Sequence, residues 1–168
     1  MKDYFSFEEY RRGLFFRMTL FCFLGLGWDV LMTFLQQVIS GKVTIHALNP
    51  ASTWMFLAYG SIPLLFYPVT MFGRFLNLPY AARVAVVLAV FYLIEFMFGY
   101  TLRSFGITPW NYDWFLDPKW SLDGIITWHP VILAAWIVFV ILVEWIDSGL
   151  RESYPAIQTS MGSFWRNI

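Results

Sequence analysis

The stretch YLIEFMFGYTLRSFGITPWNYD, from Tyr92 to Asp113, decides how this chain reads. It is apolar for a dozen residues, yet Glu95 sits inside the run. Arg103 closes the run, and a turn begins at Pro109, Trp110, Asn111 and Tyr112. An ionisable side chain at the middle of a membrane-crossing helix costs roughly 2.5–3.5 kcal/mol on insertion scales, so Glu95 needs a partner or water.

Composition agrees with a membrane reading. Of 168 residues, 59% are hydrophobic and 13% charged, against roughly 25% charged in soluble domains. That profile belongs to a polytopic membrane protein, with the lipid bilayer as its first partner. The formal net charge is zero, so no nucleic-acid footprint is expected. Cys22 is the single cysteine. It allows no intramolecular disulfide and no cysteine metal site, and it reads as a small buried hydrophobe. No nucleotide-binding, zinc-protease or serine-hydrolase motif occurs, so no cofactor and no catalytic residue is assigned. Any nucleotide chemistry must come from a partner. Acidic Asp3, Glu8 and Glu9 precede the first apolar run. That run is therefore expected to stay as an anchor and not to be cleaved as a signal.

A span needs about 20 apolar residues. Four stretches qualify, at about 13–35, 54–75, 81–102 and 125–146. The expected fold is all-α: an integral membrane four-helix bundle over residues 1–150, then a short tail from 151 to 168. Phe164 and Trp165 are placed to tether that tail. Ser6-Phe7-Glu8-Glu9 reads as a capping box, with the first helix starting before the membrane. Pro63 and Pro68 fall in the second span and are expected to kink or break it. Gly73 and Asn77–Pro79 mark a tight turn. Ala81, Ala85 and Ala89 form a small-residue stripe suited to close helix packing.

Loop charges set the orientation. With four spans, Lys2, Arg11, Arg12, Arg17, Arg74, Arg83, Arg151 and Arg166 share one side, against Lys42, Arg103 and Lys119 on the other. The basic excess puts both termini in the cytoplasm, and the expected location is a bacterial inner membrane. The outer loop between spans three and four carries Trp110, Tyr112, Trp114, Phe115 and Trp120. It is too aromatic for a free linker and is expected to lie on the interface or fold back over the bundle.

Depth arithmetic brings polar groups to one layer. Asp29 is twelve residues beyond Arg17, and Glu95 twelve beyond Arg83, each about 18 Å at the helical rise. His129 enters from the outer end of the fourth span, Tyr59 from the second, and Arg103 sits two turns above Glu95. Two readings stay open. In one, Asp29 or Glu95 pairs with Arg103 or His129 and fixes helix register. In the other, the cluster lines a cavity open to the outside and binds something polar. Asp29, Glu95 and His129 are metal-ligand types, but they lack motif spacing and no metal is assigned. Glu144 and Asp147, in EWIDSGLRE, read as a solvated helix end.

These residues resemble the CmpB-like family of type IV ABC-transporter permeases and its small multi-pass eukaryotic relatives. The resemblance begins at GLGWDVLMT (Gly25–Thr33) and continues through STWMFLAYGS (Ser52–Ser61). It is strongest in IEFMFGYTLRSFGITPWNY (Ile94–Tyr112) and ends at DGIIT (Asp123–Thr127), taken as the start of the last span. Gly99, four residues after Glu95, is counted with the alanines as a packing position. Asn111 stands where those relatives have Asp, and His129 where some have Glu. The resemblance implies four spans and a polar motif layer. Three functions follow as expectations. The first is an accessory or structural subunit of a larger membrane complex, bound to other subunits or to itself. The second is a permease-like component with an outward-facing polar site and a partner ATPase. The third is a small lipid-modifying enzyme.

Overall fold

The computed structural model describes residues 7–41, 53–108, 110–114 and 116–166. Ser6 of the expected capping box, Pro109 and Phe115 lie outside them, as do the side chains of Phe164 and Trp165. The described chain is mostly helical. Three helices are long and apolar enough to cross a membrane, which suggests a membrane location.

A short α1 (Phe7–Arg11) leads into α2 (Leu14–Ser40). Gly13 separates them in the left-handed region at φ 59°, and a Cβ there would meet the Tyr154 ring at 2.5 Å. Both the angle and the contact require glycine. Gly41, also left-handed, ends α2 by donating its amide to the Gln37 and Val38 carbonyls.

The second expected span is not one helix. It divides into α3 (Thr53–Gly60) and α4 (Ile62–Phe75), with Ser61 between. The cause is Pro63, which has no amide for the carbonyl of Tyr59 one turn earlier. Ser61 instead donates its Oγ to the Ala58 carbonyl at 2.7 Å. Pro68 sits inside α4 without ending it. It withholds an amide from the Leu64 carbonyl, and the Tyr10 hydroxyl donates to that oxygen at 3.4 Å. α2 and α3 pack closely through reciprocal glycines. A Cβ on Gly25 would lie 2.0 Å from the Tyr59 ring, and one on Gly60 would lie 2.6 Å from Cys22 Sγ.

α5 (Tyr80–Ser104) follows a turn at Leu76–Pro79, in which Asn77 takes φ 54°. The segment expected to start the last span at residue 125 is instead a hairpin. β1 (Ser121–Leu122) pairs antiparallel with β2 (Ile126–Thr127), so the chain is not purely helical. Asp123 at φ 52° and Gly124 at φ 64° sit in the turn, the left-handed Asp-Gly signature of tight hairpins. α6 then runs from Pro130 to Arg166, 37 residues, and absorbs the expected separate tail.

One core joins the helices. Phe21, Tyr59, Phe66, Val87, Trp136 and Phe139 belong to it. Trp28 approaches Phe139 at 4.8 Å and Phe91 approaches Trp136 at 4.6 Å between ring centroids. At the Asp147 end of α6 a buried ionic clamp closes the bundle. Arg17, fully buried, donates Nε to Asp147 Oδ1 at 2.7 Å, and Arg151 donates Nε to Oδ2 at 3.1 Å. Arg17 Nη1 also caps the carbonyls of Tyr10 and Arg12, and Arg151 lies 4.3 Å above the Tyr67 ring. Asp147 is therefore not on a solvated helix end; it is 3% exposed. Asp147→Ala removes the carboxylate that Arg17 and Arg151 share. The expected loss is about 3–5 kcal/mol, the cost of breaking a buried pair, read as a lower unfolding midpoint of the purified protein in mild detergent.

Candidate binding site

The face of α5 turned toward the core carries Val84, Val87, Glu95, Gly99 and Leu102. Helical spacing puts Glu95 on this buried stripe instead of the lipid side. The carboxyl is 7% exposed. Its Oε1 accepts a hydrogen bond from the Tyr112 hydroxyl at 2.9 Å. Its Oε2 is buried without a partner.

Tyr112 reaches Glu95 because the described residues between α5 and α6 fold back as a cap. Asn111 Oδ1 accepts the Asp113 amide at 3.0 Å, a local turn that points Tyr112 inward. The Tyr112 amide donates to the Gly124 carbonyl at 2.9 Å, and Trp110 Nε1 donates to the Ile125 carbonyl at 2.7 Å. Two glycines permit this approach. A Cβ on Gly99 would meet Ile125 at 2.6 Å and Trp110 at 2.9 Å; one on Gly124 would overlap Asn111 Oδ1. The hairpin is held by Ser121 donating to Asp113 and by Thr127 donating to the Trp120 carbonyl. Tyr92, from α5, donates to the Thr127 carbonyl at 2.8 Å. Burial, followed by the adjacent Glu95 carboxyl, pushes the Tyr112 hydroxyl well above the ordinary tyrosine range, so it remains a donor at neutral pH.

The structure sorts the expected polar layer. Asp29, half-buried on α2, is within electrostatic reach of Glu95 and of buried Tyr59. Arg103 does not reach either acid; it donates to the carbonyls of Asp123 and Trp110 and fastens the cap. His129 packs its ring edge-on against Trp120 at 5.4 Å, and its Nδ1 is buried without a partner. Among the described residues no ion pair involves Glu95 or Asp29. Nor do Asp29, Glu95 and His129 form a metal-holding group among the described residues. Ala81, Ala85 and Ala89 are exposed, whereas Gly99 packs against the cap. From sequence, neither Arg17 nor Arg151 is paired with Asp147, and Tyr92 is not singled out. The inward spacing of Tyr92 and Asp147 on their helices is the signal that could have found them.

Glu95 lines a crevice between α3–α4 and α5 with a cavity volume of about 60 Å³, roofed by Trp110. Its wall is mainly hydrocarbon and aromatic, with Tyr59, Phe66 and Phe91 facing in beside Glu95. Ser61, at the helix break, belongs to the same wall. A broken helix beside a buried carboxyl is a recurring way to expose polar groups at membrane depth. The arrangement can bind a ligand that is largely apolar and offers one polar group to Oε2. No family model matches the chain, and no curated protein or solved structure matches it.

Tyr112→Phe removes the bond to Oε1 and leaves the carboxyl without a described partner. Expected is a destabilisation of about 1–3 kcal/mol, seen as a lowered melting midpoint. Gly99→Val is expected to lift Trp110 from α5, measured as a red-shifted tryptophan emission; an unchanged spectrum contradicts the packing described.

Proposed function

We propose that this chain is an accessory subunit of a larger membrane complex. In this reading it is a four-helix bundle with both termini on the cytoplasmic side of a bacterial inner membrane. α3 and α4 together provide the fourth crossing. They cover residues 53–75, about 34 Å of helix, and the basic excess on the terminal side supports the orientation.

The observation that carries the subunit reading is the length of α6. Its 37 residues span about 55 Å, against a hydrocarbon core of about 30 Å. Its far part rests Tyr154 against Gly13 and Phe16 and leaves Glu152, Ser153, Ala156, Gln158 and Thr159 exposed. A second surface fits the same role. Ala81, Ala85 and Ala89 are exposed along one line of α5, where a partner helix can approach closely. The resemblance to permease-family membrane proteins is compatible with membership of an assembly.

A second reading, a permease-like component served by an ATPase in trans, is favoured by the broken α3–α4 helix beside Glu95. The two are separated by experiment. As an accessory subunit, the chain carrying a photo-crosslinker at Gln158 yields a discrete heteromeric adduct in native membranes, and Ala85→Trp lowers its co-purified partner severalfold. A monomer with no adduct refutes that role. As a permease component, Glu95→Gln abolishes uptake while expression stays normal.

A further inference from the structure

We infer that the crevice at Glu95 is a binding site for a single-chain amphiphile bearing a protonated amine. This stands whether or not the chain has a protein partner.

The charge inventory favours a cation. Glu95 lines the crevice; its Oε2 is buried without a partner among the described residues, and its Oε1 is already bonded to Tyr112. Asp29 adds a second acid within electrostatic reach. Of the cations expected to pair with the acids, Arg103 donates to cap carbonyls and His129 packs on the Trp120 ring. A buried carboxyl group without a counter-charge is best completed by a ligand that brings one. An ammonium group supplies both the charge and the hydrogen bond that Oε2 lacks.

The rest of the crevice favours a hydrocarbon chain beneath a cationic head. Aromatic faces of Tyr59, Phe66, Phe91 and Trp110 line it, and aromatic faces attract ammonium groups as well as alkyl chains. Neutral amphiphiles gain the apolar contact alone. Fatty acids bring a third carboxyl group beside Glu95 and Asp29 and no counter-charge. The cavity itself is small, about 60 Å³, room for the polar head and first methylenes of a ligand whose chain continues outside it. It suits one alkyl chain better than the two chains of a phospholipid.

The test uses the full chain in neutral detergent, titrated with dodecylamine and followed by tryptophan emission. Saturable binding is expected, with dodecanol and laurate at least tenfold weaker. Glu95→Gln should weaken dodecylamine at least tenfold while leaving dodecanol unchanged and helical circular dichroism intact. A photoactivatable dodecylamine analogue on the unmutated chain guards against misfolding of the variant. Its label should map to residues 55–69 and 87–98. Equal binding of amine and alcohol, full retention of binding in Glu95→Gln, effective competition by two-chain phosphatidylethanolamine, or labelling only elsewhere overturns the inference.

Discussion

A carboxyl group at membrane depth has no water to satisfy it, and the hydrogen bond from Tyr112 to Glu95 is this chain's answer. That bond imposes requirements on the segment between α5 and α6. Tyr112 belongs to the connection, so the connection must descend onto the helices. Its descent requires Gly99 to have no side chain and Gly124 to turn left-handed beside Asn111. Descending also buries backbone carbonyls, and these need donors. Arg103 serves those of Asp123 and Trp110, Trp110 serves that of Ile125, and Tyr92 serves that of Thr127. Polar residues of the aromatic cap are thus explained by one buried acid and the backbone brought in to meet it.

The far end of the bundle solves the converse problem. Arg17 is buried in α2, with Asp147 as its counter-charge on α6. A second cation, Arg151, shares that aspartate. Arg17 also donates to the Tyr10 and Arg12 carbonyls, and Arg151 lies over the Tyr67 ring. Such a clamp adds little net stability over an apolar equivalent. Its value lies in register, because only one axial placement of α2 against α6 brings Arg17 to Asp147. The two ends therefore fix the helices differently, one by a tyrosine from a cap and the other by charges on the helices themselves.

Legibility followed the physics of each residue. α2 and α5 were visible because apolar runs of membrane length have few alternative structures. The break at Ser61 was visible because Pro63 removes a specific amide. The hairpin was hidden by apolar residues. Ile125 and Ile126 extend the hydrophobic run of α6, and that signal outweighed Asp123-Gly124, whose turn preference is the stronger local constraint. Arg103 reads in sequence as one of two cations that could pair with the acids, because helical spacing gives distance along an axis but no information about a cap that competes for the guanidinium. Asp147 was read as solvated because it lies among charged residues near an apparent helix end. Continuation of α6 through Pro155 to Arg166 makes it an interior position instead.

The two prolines of the second apolar stretch have different consequences, and the difference shapes the crevice. Pro68 frees a carbonyl toward α1, where Tyr10 meets it, and α4 continues. Pro63 lies one turn beyond Tyr59, and there the helix stops and restarts at Ser61. A continuous helix packs its side chains into the grooves of its neighbour. A broken one offers two shorter surfaces that cannot both follow α5 in the same register. The space between α3–α4 and α5 is the geometric result. Glu95 faces that space because the stripe that buries Val87 and Gly99 also carries residue 95 inward. An acid without a counter-ion and a crevice without a filling helix thus arise from independent local causes and meet at one place, which is why the site can be altered at Glu95 without rebuilding the helix break.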